Sequence, residues 1–404
     1  MLLIYNLIIR IYLNLIFIYS FFNKKAKLWI NGRKNVKFLN VKKSIWFHFA
    51  SLGEFEQGRP VLEAYRAQYP SSVIVITFFS PSGYEIRKNT PLANYVYYLP
   101  IDTKKNAMQF IETINPGIAI FTKYEYWYHY FNELHSRSIP VYIISGIFRP
   151  KQVFFKWYGS LHRKILSFVA HFFVQDNESE RLLKNLGINN VSVSGDTRFD
   201  RVWQNSSFPK QLNPVEQFKA GQRVFIGGST WPEDEELIAQ LIPLFPDWKF
   251  ILAPHEIEEA KIARLLKLLP GDAVIRYSEI ERSKKELSQF NVLIIDNIGM
   301  LSSLYQYGDI AFIGGGFGAG IHNTLEAAAF GLPVIFGPEY ERFKEARDLV
   351  DLQLGFCVEN DIQLKAIAEK LIHDNDLRAE KSASIKAYVK EHTGATASIM
   401  QAIS

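Results

Sequence analysis

The segment FIGGGFGAGIHNTLEAAAFGLPVIFGP, residues 312–338, contains in order a strand, a glycine loop, a helix and a second strand. A helix is predicted to begin at Asn323 and to end at Gly331, so its N-terminus could bind an anion without a lysine. The loop glycines, which leave room for backbone N–H groups to approach a ligand, are Gly314, Gly315, Gly316, Gly318 and Gly320. Such loops also occur as plain turns, but this order of elements is typical of the ligand-binding end of a parallel α/β sheet.

The rest of the chain repeats this alternation of short β-rich runs and amphipathic helical stretches, which indicates parallel sheets with crossover helices. Strands are predicted at 45–49, 73–78, 95–99, 118–121, 141–144, 172–174 and 191–193, and then at 224–226, 250–252, 292–295, 310–313 and 334–336. Between the two sets lies a stretch rich in Ser, Asn, Pro and Gln, which predicts a linker at 206–222.

The predicted architecture is therefore α/β, with two Rossmann-like doubly wound domains whose strand ends face a central ligand cleft. Residues 23–205 form the first domain and residues 223–390 the second. Residues 391–404 are predicted to form a helix that packs across the domain junction.

Composition agrees with a two-domain globular protein. The chain has 404 residues, of which 48% are hydrophobic, so it can bury two cores. Its one cysteine, Cys357, excludes an internal disulfide and a multi-cysteine metal cluster. The net charge of +5 is modest for this length and does not require a nucleic-acid partner.

The N-terminus is predicted to be a membrane anchor. Residues 1–22, MLLIYNLIIRIYLNLIFIYSFF, would form an apolar helix about 33 Å long, near the hydrocarbon thickness of a bilayer. Lysines and arginines follow between residues 24 and 43, and no acidic residue precedes Glu54, which favours the cytoplasmic leaflet of a membrane and contact with anionic lipids.

Other interpretations of this segment are a signal peptide and a buried core helix. A signal peptide is disfavoured because Asn23-Lys24-Lys25 stands where a small-residue cleavage site belongs. Arg10, in the middle of the segment, leaves both a full span and a shallow monotopic anchor open.

Two carboxylates follow predicted strands of the first domain. Glu54 comes after the strand IWFHFA and the residues Ser51, Leu52 and Gly53, at the start of a helix predicted to reach Tyr69. It could be a general base, or it could simply favour the helix dipole. Glu125, in FTKYEYWYHYF, is the second candidate, although aromatic neighbours of this kind more often belong to a core.

The second domain carries polar residues at the corresponding positions. Ser229 or Thr230 is predicted to cap a helix whose first turn contains Pro232, and such a cap suits a phosphate as well as plain helix capping. His255 follows the strand KFILAP, where an imidazole could meet a phosphate.

The residues at the start of the helix that follows the glycine loop can also be interpreted in two ways. Asn323 and Glu326 have the spacing of a capping box, but Glu326 could instead accept hydrogen bonds from ribose hydroxyls. No histidine or cysteine cluster suggests a metal, so catalysis is expected to need no metal and no cofactor.

Taken together, these motifs resemble the 3-deoxy-D-manno-octulosonic acid (Kdo) transferases of lipopolysaccharide assembly, which are inverting, metal-independent GT-B enzymes of glycosyltransferase family 30. The resemblance covers nearly the whole chain. Its motifs are the apolar anchor with its basic flank, FHFASLGEFEQGRP, TFFSPSGYE, KYEYW, FVQDNESERLLKNLGI, SGDTRFDRV, GGSTWPEDE, DNIGMLSSLYQYGDIAFIGGGF and IHNTLEAAAFGLPVIFGP. The chain departs from the family pattern at Lys123, at His255-Glu256 and at Met300, which follows Gly299.

The resemblance implies that Glu54 deprotonates a sugar hydroxyl of the lipid A precursor lipid IVA, with Ser51 and Gly53 on the acceptor side and Glu125 in support. It implies that the donor CMP-Kdo lies on the second domain. The implied donor-binding residues are Ser229, Thr230, His255, Gly299, Gly314, Gly315, Gly316, Gly318, Asn323 and Glu326.

Two alternatives remain. One is another GT-B sugar-nucleotide enzyme, a UDP-sugar transferase or a 2-epimerase, although an epimerase would not need a lipid anchor. The other is a non-catalytic membrane-bound nucleotide-sugar binder, against which the presence of Glu54 beside Gly53 argues.

Overall fold

The computed structural model describes residues 1–34 and 36–403, and the chain divides into two compact units. The first unit comprises Met1–Arg201 and His392–Ser404, and the second comprises Val202–Glu391. The division falls inside a helix, α9 (Thr197–Ser207).

A seven-stranded parallel sheet forms the centre of the first unit, in the order β3-β2-β1-β4-β5-β6-β7. The inner strands β1 and β2 are buried along their whole length, because helices cover both faces of such a sheet. The strands are β1 (Ser44–Phe49), β2 (Ile74–Phe78), β3 (Tyr95–Tyr98), β4 (Pro116–Thr122), β5 (Val141–Gly146), β6 (His171–Val174) and β7 (Val191–Val193).

Crossover helices connect these strands, and two helices precede the first strand. The helices before α9 are α1 (Leu2–Tyr19), α2 (Lys24–Asn31), α3 (Leu52–Gln68), α4 (Pro81–Arg87), α5 (Lys104–Ile114), α6 (Tyr128–Ser136), α7 (Ser160–Leu166) and α8 (Asn177–Lys184). Among the described residues, α1 is the one helix long and apolar enough to cross a membrane.

The second unit has its own seven-stranded parallel sheet, in the order β10-β11-β9-β8-β12-β13-β14. The strands are β8 (Arg223–Thr230), β9 (Trp248–Pro254), β10 (Val274–Arg276), β11 (Val292–Ile294), β12 (Ile310–Ile313), β13 (Val334–Phe336) and β14 (Gly355–Cys357). The helices are α10 (Asn213–Lys219), α11 (Pro232–Leu241), α12 (Glu259–Leu268), α13 (Leu301–Leu304), α14 (Leu325–Ala329), α15 (Lys344–Asp351), α16 (Asp361–His373) and α17 (Asn375–Glu391).

These two sheets confirm the predicted doubly wound α/β fold, and every predicted strand is present. Strands β10 and β14, the edge strands of the second sheet, were not predicted. Each has three residues and is only partly buried, so neither gives a clear apolar run.

Residues 206–222, predicted to be a linker, instead contain the end of α9 and all of α10. Val215 and Phe218 of α10 are fully buried, and the backbone N–H of Leu212 donates to the Tyr307 hydroxyl at 2.7 Å. Polar residues between these apolar positions hid the helix in the sequence.

After α17 the chain returns to the first unit, where α18 (Ala395–Ile403) packs on α3. Its Ile399 and Ile403 join the cluster of buried side chains that includes Phe47 and Phe55. The C-terminal residues therefore complete the core of the first unit.

Candidate active site

Glu54 lies in the first turn of α3, directly after the carboxyl end of β1. The helix begins at Leu52, two residues before the predicted start, and Ser51 precedes it in an extended conformation. The Ser51 hydroxyl donates to Glu54 Oε2 at 3.1 Å.

The surroundings of Glu54 suit a general base. Burial, followed by the negative charge of Glu125, raises the pKa of Glu54 to about 7, while the Ser51 hydrogen bond and the positive charge of Lys123 act in the opposite direction. A carboxylate with a pKa near the working pH is an efficient proton acceptor.

Glu125 lies on the loop that follows β4. The preceding Lys123 has a left-handed backbone, with φ of 62°, a conformation that non-glycine residues rarely adopt. Glu125 Oε2 accepts a hydrogen bond from Trp127 Nε1 at 2.9 Å and lies 3.2 Å from His48 Nε2. The carboxylate is thus held in one orientation from two sides.

A buried chain of hydrogen bonds leads from Glu125 into the core of the first unit. His48 is fully buried on β1, and its Nδ1 lies 2.8 Å from Thr77 Oγ1, which accepts from Trp46 Nε1 at 2.8 Å. The Thr77 hydroxyl accepts from Trp46, so its own hydrogen can be donated to His48 Nδ1. The proton of His48 is then on Nε2 and is donated to Glu125, so the indole, hydroxyl and imidazole hydrogens each have an acceptor. Neither His48 nor Thr77 was predicted to have a role, although they lie in the motifs FHFASLGEFEQGRP and TFFSPSGYE.

A second buried network connects α3 to the loop after β7. Asp196 Oδ1 accepts from Gln57 Nε2 of α3 at 2.9 Å, and Asp196 Oδ2 accepts from Arg198 Nη2 at 2.7 Å. Burial would raise the pKa of Asp196, but the charge and hydrogen bonds of Arg198 outweigh it and the pKa is lowered. The spacing of Asp196 and Arg198 in SGDTRFDRV is the signal that could have indicated this pair.

In the second unit, the predicted donor residues lie at the carboxyl ends of strands or in the segments that follow them. Ser229 and Thr230 end β8, His255 follows β9, Gly299 follows β11, and the glycine loop follows β12. Because carboxyl ends of neighbouring parallel strands share one edge of a sheet, the fold brings these residues to the same edge. Gly299 is exposed there, with φ of 91°.

The glycine loop is held by hydrogen bonds of its own. Gly314 N–H donates to Gly228 O at 2.9 Å, and Gly315 N–H donates to Asp234 Oδ2 at 2.8 Å. A Cβ on Gly314 would lie 2.2 Å from Ser229 O, and one on Gly316 would lie 2.5 Å from Gly337 N. Close packing of the chain on itself therefore requires these glycines, whereas the sequence argument assigned them to ligand approach.

Gly318 differs from the other loop glycines. It is exposed, and a Cβ placed on it would meet no atom within 4 Å. A cavity of about 170 Å³ lies beside it, and its lining includes Trp231, Asp234 and Phe317. This part of the loop has room for a ligand.

The N-cap of α11 is Trp231, and the predicted caps Ser229 and Thr230 belong to β8. Asp234, at the third position of the helix, accepts from the backbone N–H of Trp231 at 2.8 Å through Oδ2, which is the reciprocal half of a capping box. Burial raises the pKa of Asp234 to about 6, although the N–H groups of Trp231 and Gly315 oppose the shift. The Thr230 hydroxyl instead donates to Glu235 Oε1 at 3.3 Å.

Three aromatic rings stack at the same sheet edge. The His255 ring lies 4.8 Å from the Trp231 ring and 4.4 Å from the His322 ring, centroid to centroid. Trp231 Nε1 donates to His322 Nε2 at 3.0 Å, and burial, with the neighbouring His255, lowers the pKa of His322 to about 4. This neutral, flat surface suits a nucleobase. His322 and Trp231 were not among the predicted site residues, although His322 directly precedes the predicted Asn323.

Asn323 and Glu326 contact each other, but not as a capping box. Asn323 Oδ1 accepts from Leu325 N–H at 3.1 Å, and Asn323 Nδ2 donates to Glu326 Oε1 at 3.1 Å. The helix begins at Leu325, two residues after the predicted start, because Asn323 turns the backbone first. In the described part of the chain, no group of three His, Cys, Asp or Glu residues could hold a metal ion.

The fold of the two units is that of the GT-B class. A UDP-GlcNAc 2-epimerase from Neisseria meningitidis bound to UDP-GlcNAc superposes with a TM-score of 0.62 at 15% identity, over 89% of this chain and 99% of that one. The calicheamicin glycosyltransferase CalG4 superposes with a TM-score of 0.55 at 13% identity, over 90% and 98%. At these identities the likeness establishes the fold and no more.

Similar sequences are found among the Kdo transferases. Residues 23–201 match the family model described as 3-deoxy-D-manno-octulosonic-acid transferase (kdotransferase). The chain is 28% identical over 368 residues to the Kdo transferase of Haemophilus influenzae, covering 87% of this chain and 84% of that one. It is 26% identical over 357 residues to that of Aquifex aeolicus, covering 86% and 92%.

A bifunctional glycosyltransferase/methyltransferase of Fusobacterium nucleatum is 26% identical over 368 residues, which is 88% of this chain but 57% of that protein's length. Over most of its length the chain is similar to Kdo transferases, which are glycosyltransferases. This similarity supports Kdo transfer in lipopolysaccharide biosynthesis, and the apolar helix α1 is consistent with membrane association.

Proposed function

We propose that this enzyme transfers Kdo from CMP-Kdo to the lipid A precursor lipid IVA, with inversion and without a metal, at the cytoplasmic face of the inner membrane. The observation that carries the proposal is the half-buried Glu54. Its pKa is about 7, and the nearby charge of the fixed carboxylate Glu125 contributes to this value. The proposal assigns the acceptor to the first unit and the donor to the second.

In the proposed reaction, Glu54 takes the proton of an acceptor sugar hydroxyl, and the hydroxyl oxygen forms a bond to the anomeric carbon of Kdo. The bond from that carbon to the phosphate oxygen breaks, and its electron pair leaves with CMP. Attack from the face opposite the phosphate gives inversion. Glu125 supports the site because Trp127 and His48 hold its carboxylate in place.

Several features support donor binding on the second unit. The stack of Trp231, His255 and His322 offers a surface for the cytosine, and Asn323 with Glu326 offers polar groups for the ribose. The loop at Gly318 leaves open space for the phosphate. The proposal places no metal there, so a chelator should leave the rate unchanged.

The membrane part of the proposal rests on α1 and the basic residues that follow it. Large apolar side chains of α1 are exposed, and lysines of α2 are exposed beside them. Apolar insertion together with attraction to anionic lipid would hold the enzyme where a lipid acceptor is found.

The test is the mass of the product after the detergent-solubilised protein is incubated with freshly generated CMP-Kdo and a tetraacylated lipid A precursor. The wild type should add one or more Kdo units. Glu54→Gln should lower kcat by about 10²–10⁴-fold while CMP binding is retained. Glu56→Gln is the matched control, because Glu56 lies on the same helix but pairs with Arg87 at 2.5 Å.

Two results would contradict the proposal. Absence of Kdo addition by the folded wild type with intact donor would overturn the assigned donor and acceptor. Turnover by Glu54→Gln at the wild-type rate would overturn the assignment of the base.

A further inference from the structure

Helix α1 is fixed along the first unit by one of its faces. The Tyr5 hydroxyl donates to Asp102 Oδ2 at 2.5 Å, and Asn6 Oδ1 lies 2.7 Å from His129 Nε2. Asp102 is only 3% exposed and also accepts two backbone N–H groups at the start of α6, so it is part of the folded unit. The first turns of α1 therefore dock on the protein.

The opposite face of α1 is apolar and exposed. Leu3 is 83% exposed, Leu15 is 61% exposed, and Phe22, just beyond the helix, is 85% exposed. A contiguous apolar surface of this extent is typical of contact with a membrane.

Between α1 and the body of the first unit lies a groove with a volume of about 410 Å³. Its apolar lining includes Tyr12 and Ile16 from α1, Trp29 from α2, and Phe79 from the loop after β2. Its polar lining includes Lys25. We call this space the α1–α2 groove. Its volume lies within the range of small-ligand pockets.

The wall of the α1–α2 groove connects directly to the candidate active site. The Phe79 ring lies 5.0 Å from the Trp127 ring, and Trp127 donates to Glu125. Ser80, which also lines the groove, donates its backbone N–H to Ala50 O at 2.7 Å, one residue before Ser51. The groove wall therefore packs against the segments that carry both carboxylates.

We propose that the α1–α2 groove binds one acyl chain of the lipid acceptor. The inference rests on the proposed function and adds to it the part of the acceptor that the enzyme holds. The groove is apolar, it continues the exposed apolar face of α1, and Lys25 supplies a positive charge for a phosphate of the lipid headgroup. Because Phe79 of its wall contacts Trp127, which holds Glu125, and Ser80 bonds to the segment before Glu54, we assign the groove to the acceptor and not to a bulk phospholipid.

The experiment fills the groove from either wall. Ile16→Trp acts from α1, and Ala26→Leu acts from α2, where the buried Ala26 also lines the groove. Leu15→Trp is the matched control, because Leu15 is the neighbouring residue on the exposed face of α1. Kinetics are measured with CMP-Kdo and the tetraacylated precursor in mixed micelles, and again with a fully deacylated, water-soluble form of the same acceptor.

Both groove variants should raise the acceptor KM at least about tenfold, since an apolar side chain would fill the space of several methylene groups. The donor KM and the rate with the deacylated acceptor should stay at wild-type values, as should binding to vesicles of phosphatidylethanolamine and phosphatidylglycerol. Leu15→Trp should match the wild type in both kinetic assays, and it should retain vesicle binding.

Unchanged acceptor KM in both folded groove variants would overturn the inference, as would an equal loss with the deacylated acceptor. If the groove variants lost vesicle binding and activity together, the groove would be assigned to bulk phospholipid, and the inference would again be overturned. In each of these outcomes the wild type still transfers Kdo. Failure of the proposed function is different, because the wild type itself would then transfer no Kdo.

Discussion

At the scale of single residues, the two carboxylates of the first unit have different environments. The Glu54 carboxylate accepts a hydrogen bond from a hydroxyl and is influenced by the positive charge of Lys123. The Glu125 carboxylate is held by an indole N–H and by the imidazole of His48. The negative charge of Glu125 is one of the causes of the raised pKa of Glu54. Paired groups with different environments are a common arrangement for acid–base chemistry.

The pH dependence of the rate should follow the ionisation of Glu54. A general base acts in its ionised form, so kcat/KM should be lost as the pH falls through about 7. Glu125→Gln removes a negative charge that raises this pKa, so the acidic limb should move to lower pH even though the maximum rate falls. The measurement is a pH profile of kcat/KM for both proteins, read at its midpoint. An unchanged midpoint in Glu125→Gln would show that the charge of Glu125 does not act on the base.

At the scale of elements, the loop after β12 combines two requirements. Gly314 and Gly316 let the loop pack against the ends of β8 and β13, and Asp234 joins the loop to the start of α11. Gly318 takes no part in this packing. Within one loop, some glycines therefore serve the fold while another leaves room for a ligand.

Two alanine substitutions should separate these roles. Gly314→Ala places a Cβ against a backbone oxygen that cannot move easily, so it should lower the free energy of unfolding by about 1–3 kcal/mol. Gly318→Ala should change it by less than about 0.5 kcal/mol and should weaken CMP binding. Urea denaturation and calorimetric CMP titration measure the two effects. Equal stability of the two variants would contradict the packing role, and wild-type CMP affinity in Gly318→Ala would remove Gly318 from the donor site.

At the scale of the whole molecule, the chain leaves the first unit in α9 and returns to it in α18. Asp200 of α9 accepts from the backbone N–H groups of Gly394 and Thr396 at 2.6 and 2.7 Å, and also from the Thr396 hydroxyl at 2.7 Å. These bonds position α18, whose apolar residues pack against α3, the helix that carries Glu54. The C-terminus thus supports the candidate base.

Asp200→Ala should loosen the first unit and leave the second unchanged. Loss of the carboxylate leaves the donors at the start of α18 without their partner, at a cost of about 1–3 kcal/mol. Hydrogen exchange followed by mass spectrometry should show faster exchange in α18 and α3 but unchanged exchange in β8 and β9. Asp361→Ala, an exposed position on α16, is the control. Equal changes in both units would contradict this assignment.

The sequence alone was sufficient for the elements that have strong local signals. Apolar runs bounded by turn residues predicted the inner strands of both sheets, since a strand buried on both faces must be apolar along its length. The apolar run of β1 also predicted that Glu54, beside Gly53, follows the end of a strand. Short or mixed segments were not predictable: β10 and β14 are partly exposed edge strands, and the buried side of α10 is hidden among polar residues.

Local sequence therefore determined where strands, helices and candidate carboxylates occur, because hydrophobic periodicity and turn chemistry act between near neighbours. Only the tertiary structure decided which distant side chains meet. His48 and Glu125 are 77 positions apart, and Trp231 and His322 are 91 positions apart. The packing that brings α18 onto α3 and that forms the α1–α2 groove likewise joins segments that are distant in sequence. Such contacts depend on strand order and helix packing, which a single sequence does not encode in any local pattern.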